Sequence, residues 1–257
     1  MDQLHGGSGD DKIWMINPDQ REFDIEDDAN YGYGNSGNDI IHGSNGADKL
    51  FGDFEDGDKT IVDEDDTVGG DDFLKGYEGD DILEGGAGAD VIEGDEGMDM
   101  IWGGIGDDKL YGGEGMDTIW GDDENGLLFG DDKIFGGDGV DTLRGGNGDD
   151  IIHGDGDNDT LEGGPGEDTL YGGDGQDTID AGKGWDTIFG GDGCDTITTY
   201  DGGDVVWLGD CDGTMSQTLN IEGTGDDPEK FRCCDGLLAR VCQTIQRNLF
   251  TRERKSR

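Results

Sequence analysis

Proline occurs three times in 257 residues and histidine three times, basic side chains number seventeen, and nowhere do eighteen apolar residues run together. Each scarcity excludes something. Without a long apolar run no helix crosses a membrane. With so little proline, and no three-residue glycine period, the 54 glycines do not make a collagen triple helix. His5, His42 and His153 are scattered and none belongs to H-E-x-x-H; G-x-S-x-G and the P-loop are also missing. Gly32 to Gly37 reads GYGNSG, a nominal dinucleotide fingerprint, but it has glycine-rich surroundings and no following helix. Hydrophobic residues make up only 30%, too few for an ordinary helix-rich globule.

What is abundant is acid. Sixty-five Asp and Glu against seventeen Lys and Arg leave a net charge of −48, which repels nucleic acid and anionic membranes and favours an expanded chain. The charge is unevenly placed: residues 1–207 hold 57 acids and 9 bases, whereas residues 208–257 hold 8 of each. Two modules are expected, one over 1–207 and one over 208–257. MDQLHGGSG at the amino terminus has no apolar core of the kind a cleaved secretory leader carries.

The acidic module is a repeat. From Gly85 the chain reads GGAGADVIE, GDEGMDMIW, GGIGDDKLY and GGEGMDTIW, with a period of nine. Units run unbroken from Thr67 to Trp120 and from Gly136 to Trp207, with sparser ones at Gly6, Gly34 and Gly43 and insertions near 15–33, 52–66 and 121–130. Glycine at the first, second and fourth places suits a tight turn. The last three places set one aliphatic side chain between two others, a short strand whose middle residue points inward. Eighteen such residues recur: Ile13, Ile41, Leu50, Leu74, Leu83, Ile92, Ile101, Leu110, Ile119, Ile134, Leu143, Ile152, Leu161, Leu170, Ile179, Ile188, Ile197 and Val206. Two units complete one turn of a flattened parallel coil, with rungs roughly 4.8 Å apart on each face. One aliphatic layer per face is too thin to offset chain entropy and carboxylate repulsion.

The sixth place is Asp, immediately before each strand, so carboxylates two units apart stack along an edge of the coil. A hard cation that accepts many oxygens at flexible geometry, mixing carboxylates with turn carbonyls, is calcium; magnesium holds its water and zinc prefers His or Cys. These units resemble the GGxGxDxUx nonapeptides of the RTX family, the hemolysin-type calcium-binding repeats. The resemblance implies an all-β parallel β-roll, a solenoid that folds on meeting external calcium, exported by bacteria through a type I channel. It also implies metal ligands at the sixth place: Asp11, Asp39, Asp48, Asp72, Asp81, Asp90, Asp99, Asp108, Asp117, Asp132, Asp141, Asp150, Asp159, Asp168, Asp177, Asp186, Asp195 and Asp204. Some units depart from the pattern: Asp157 replaces the fourth glycine after Gly154, Ala181 replaces a first glycine, and Thr67 and Thr199 open degenerate units.

If Gly121 to Phe135 is one unit carrying an insertion, one face stacks Thr118, Thr142, Thr160, Thr178 and Thr196, and the other stacks Tyr111, Phe135, His153, Tyr171, Phe189 and Trp207. If it is two units, both columns break. The aromatic column reads either as cross-rung stacking or as a contact surface for a protein or glycan. Beyond Trp207 the period ends, and Asp235 to Phe250 spaces Leu237, Leu238, Val241, Cys242, Ile245 and Leu249 as a basic amphipathic helix, a small helical module that would cap or dock. Cys194, Cys211, Cys233, Cys234 and Cys242 all fall late, and two bridges could tie this tail to the last rungs. The functional expectation is a noncatalytic calcium-binding rod, extracellular or on a cell surface. The alternatives are the carboxyl-terminal module of a larger secreted toxin, protease or lipase, and a structural, adhesive or mineral-associated protein.

Overall fold

The computed structural model describes residues 3–8, 12–14, 31–36, 39–43, 47–52, 69–122, 129–200, 203–209, 218–221 and 230–232. Asp11, the expected helix at 235–250 and four of the five cysteines lie outside them. Among the described residues every regular element is a β-strand, and the strands alternate between two eleven-stranded sheets. Neighbouring strands run parallel, as in the pairing of Lys109–Glu114 with Lys133–Asp138. The front sheet runs from Lys12–Trp14 to Lys230–Arg232 and the back sheet from Gln3–Ser8 to Thr218–Ile221. Each strand bonds to the strand two places on in the chain, as a flattened coil requires.

The nine-residue pattern explains the register. Leu110 pairs with Ile92 below and Ile134 above in the front sheet, and Ile119 pairs with Ile101 and Leu143 in the back sheet. Along Val91–Glu96 burial alternates, with Ile92 and Gly94 inside and their neighbours partly exposed. Seventeen of the eighteen inward residues have no exposed surface, and Ile13 retains 7%. They form one continuous apolar core. The coil also takes in segments whose repeat is degraded. Tyr31–Ser36 enters the back sheet, drawing Tyr31 to Tyr33 from the stretch read as an insertion. Past Trp207, Thr218–Ile221 and Lys230–Arg232 each add a strand, and Leu219 packs on the core.

Gly121 to Phe135 is a single unit. Tyr111 pairs with Phe135, and Thr118 with Thr142, across the insertion. Both columns are therefore continuous. Ring centroids along Tyr111, Phe135, His153, Tyr171, Phe189 and Trp207 are 4.3 to 5.1 Å apart, with neighbouring planes within 15° of parallel. The ring faces thus cover one another, and it is ring edges that line the outside of the stack, which braces neighbouring rungs. The back sheet has a shorter stack, Trp102 on Trp120 at 4.7 Å.

Because each core position is filled by one aliphatic side chain facing the opposite sheet, truncation leaves a hole that neighbouring rungs cannot close. Ile119→Ala should cost about 2–5 kcal/mol. A denaturant titration in saturating calcium would show it as a lowered midpoint, while a surface change such as Thr118→Ser should leave the midpoint almost unmoved.

Candidate metal centre

The coil has two edges. On one, each front strand turns into the next back strand; on the other, each back strand turns into the next front strand. Sixth-place carboxylates line the inside of both. Asp48, Asp81, Asp99, Asp117, Asp141, Asp159, Asp177 and Asp195 belong to the front-to-back edge, and Asp39, Asp72, Asp90, Asp108, Asp132, Asp150, Asp168, Asp186 and Asp204 to the other; all are at most 3% exposed. Burial of so many carboxylates is rare, because an ionised group leaving water carries a large desolvation cost.

One oxygen of each has a fixed role. Asp99 Oδ1 accepts the backbone N–H of Asp81 at 2.8 Å, and Asp117 Oδ1 accepts that of Asp99 at 2.9 Å; on the other edge Asp108 Oδ1 accepts from Asp90 at 2.7 Å. The interval stretches to 24 residues at the insertion, where Asp132 Oδ1 accepts from Asp108 at 2.8 Å. The other oxygen has no such role. In thirteen units from Asp81 to Asp195, Oδ2 is buried and meets no hydrogen-bond donor.

The first-place glycine leaves room for that oxygen. A β-carbon on Gly136 would stand 2.5 Å from Asp141 Oδ2 and 2.9 Å from the carbonyl oxygen of Gly154, so these acceptors approach the same small space. Ala181 does place a methyl there and is fully buried, and Asp186 Oδ2 of that unit remains buried with no donor. The second and fourth glycines serve a different need, a positive φ. Where glycine is replaced, Tyr77 (φ 86°), Asp95 (77°), Asp155 (72°) and Asp157 (73°) still adopt it, a conformation unfavourable for a bulky side chain. Tyr77 is held there by its hydroxyl, 3.1 Å from His42 Nδ1, and by Lys75, which sits over its ring and pairs with Glu93 and Asp95 at 2.6 Å each.

Burial dominates the acidity. It pushes Asp108 up to about 9, Asp132 and Asp168 to about 8, and Asp90, Asp150 and Asp186 to about 7, against the hydrogen bonds from the rung below. The front-to-back edge is milder, with Asp99, Asp117, Asp141 and Asp177 at about 6, Asp159 at about 7 and Asp81 at about 8. Part of the difference has a named source: Asp122 adds its charge to Asp108, Asp132 and Asp150.

Asp122 was not legible from the repeat. It occupies a second place, where glycine was expected, is 2% exposed, and accepts the Asn147 N–H through Oδ2 at 2.6 Å. Fifth-place carboxylates were also missed. Asp80, Asp107 and Asp131 reach the following rung, where their Oδ1 atoms accept the N–H of Met98 at 2.9 Å, Asp131 at 3.0 Å and Asp149 at 2.9 Å. Adjacent aspartates such as Asp107-Asp108 thus clamp in opposite directions along the coil axis. The doublet itself was the available signal.

With this geometry in view, the comparisons give the family. The RTX calcium-binding nonapeptide repeat matches residues 1–14, 26–57, 66–101, 93–128, 129–161, 153–186, 162–197 and 181–210, and the chain belongs to that family. The comparison with curated proteins finds no match. The donor set fits the family's ion. Every candidate is an oxygen, the orphaned Oδ2 atoms are acceptors only when ionised, and the space beside each first glycine opens onto a carbonyl. Among the described residues no three His, Cys, Asp or Glu side chains converge on one point, so backbone carbonyls would have to complete the shell.

Buried acids also set the sign of the pH dependence. Each carboxyl is more acidic unfolded, near 3.9, than folded, so the folded coil binds more protons. That contribution is whole below about pH 4 and is lost as pH rises through the folded values of about 6 to 9. In chelator, the thermal midpoint should climb on going from pH 8 to pH 5; a midpoint that falls would contradict the burial of these groups as acids. Asp132→Asn keeps an oxygen for the Asp108 N–H but removes one buried charge. Its metal-free midpoint at pH 8 should rise, and the calcium needed for half-saturation should rise with it, both measurable by calorimetry.

Proposed function

We propose that the chain is a noncatalytic calcium-binding β-roll in which calcium converts an acidic, expanded polypeptide into a stiff rod. One observation carries this reading: two rows of buried carboxylates in which unit after unit has an oxygen that no protein donor meets. Calcium supplies the positive charge that lets these groups stay ionised inside the coil. The residues that would hold it are the sixth-place aspartates, with Asp11 included by the repeat, together with carbonyl oxygens of the first-place glycines. Binding and folding are one event here, because no turn brings its acceptors together until the rung above is laid down. Affinity for the ion then falls in the range of extracellular modules, about 10⁻⁴ to 10⁻³ M, with a steep onset. That range suits a site of action outside the cell.

The noncatalytic part of the reading rests on uniformity. Acid–base catalysis needs neighbouring groups in divergent environments, whereas these carboxylates repeat one environment along each edge. The aromatic column is bracing for the rod.

Circular dichroism through a calcium titration at pH 7.5 should show the β signal appear over a narrow range and vanish with EDTA, with protons released as calcium binds. A β signal indifferent to chelation at that pH, with full-length chain, would overturn the proposal.

A further inference from the structure

The two edges differ on their outer surfaces. On the front-to-back edge the fifth places of three successive rungs are Met98, Met116 and Val140, and they are 48%, 55% and 48% exposed, with Met100 beside them at 39%. Each directly precedes a carboxylate of the row Asp99, Asp117 and Asp141, whose rungs are joined by hydrogen bonds. Fifth places at the corresponding levels of the other edge include Asp107, Asp131 and Asp149. The apolar band is therefore particular to one edge. Beside it, at the third place of the same turns, run exposed acids in register: Glu96 with Glu114, and Glu114 with Asp138. An exposed apolar band rimmed by one sign of charge marks a docking surface, and methionine adapts readily to what lands on it.

Three observations identify the occupant. The last described strand, Lys230–Arg232, belongs to the front sheet and runs parallel to its neighbours, so the chain leaves it at this same edge. Residues 233–257, next in the chain, contain the apolar series Leu237, Leu238, Val241, Ile245 and Leu249; from Lys230 onward eight bases face only Asp235 and Glu253. Finally, Cys194 occupies the fifth place of this edge further along the coil and is disulfide-bonded. The other four cysteines, Cys211, Cys233, Cys234 and Cys242, all come later in the chain, so the bond ties its carboxyl-terminal part to this edge. Lengths agree. Five rungs separate Lys230–Arg232 from Lys133–Asp138 in the front sheet, about 24 Å at the strand spacing. A sixteen-residue helix over 235–250 would be about 24 Å long, and the residues after it extend to the level of Met116 and Met98.

We propose that residues 233–257 pack lengthwise along the front-to-back edge, apolar side on Met98, Met116 and Val140 and bases toward Glu96, Glu114 and Asp138, instead of covering the open end of the coil. Apolar contact and the disulfide hold the segment, and the charges orient it, since exposed ion pairs contribute little individually. The band exists only when rungs are stacked, because Met98 and Met116 are 18 residues apart in the chain. Docking therefore comes after winding.

The test uses the full-length oxidised chain in saturating calcium. Carbodiimide coupling followed by peptide mass spectrometry should join Lys255 to Glu96, Glu114 or Asp138 within one molecule. Links that form only between isotopically labelled and unlabelled copies, or only to residues at the open end, would overturn the proposal. Peroxide footprinting supplies a second readout: Val241→Asp with Ile245→Asp should raise oxidation of Met98 and Met116 several-fold while the calcium-induced β signal persists. Unchanged rates would count against it. Loss of the β signal in wild type on adding calcium would instead indict the calcium reading, and so the two failures are separable.

Discussion

Carboxylates one rung apart in a dry interior repel one another, and this repulsion governs the whole molecule. An aliphatic layer one side chain deep on each face cannot hold such rows together by burial alone. From Asp81 to Asp195 each Asp of the two rows is anchored through Oδ1 to the rung below it and keeps Oδ2 as an acceptor without a donor. The fold is thus complete in its backbone and apolar contacts yet incomplete in its charge. Protons or a divalent cation must close that gap, and at neutral pH the family to which the chain belongs uses calcium.

Much of this was legible because the nonapeptide assigns one job to each place. The inward aliphatic residues and the sixth-place aspartates could be numbered from the period alone, and the continuity of the aromatic column depended on a single choice at Gly121 to Phe135 that the register resolves. Other features were hidden for physical reasons. Tyr31–Ser36 and Thr218–Ile221 enter the back sheet through backbone pairing with well-formed neighbours. A strand added to an existing edge needs little help from its own side chains, and so it leaves little trace in its sequence. Asp122 looked like a residue of the insertion, and only the approach of the Gly145–Gly146 turn shows it to be buried. The three glycines looked alike, yet the first is required by the nearness of a carboxylate and the other two by backbone angle.

The edges share a repeat without being equivalent. Asp122 and the fifth-place acids load the back-to-front edge with additional charge, and its inner carboxyls are the harder to ionise. The front-to-back edge carries its outer acids at the third place and gives its fifth place to methionine and valine. Different duties on either side of one rod, ion storage weighted to one and protein contact to the other, follow from which variable places of the nonapeptide hold acid.

Because strands alternate between sheets, each unit belongs to the face opposite the unit before it. Deleting one nonapeptide would send every later side chain to the other face, setting the Tyr and Phe rings above threonines and separating Cys194 from its edge. Removing two would merely shorten the rod. Duplication and loss in the gene for such a coil are therefore tolerated in steps of eighteen residues, and a six-residue insertion at a turn, as near Gly121, is a milder event than the loss of a whole motif.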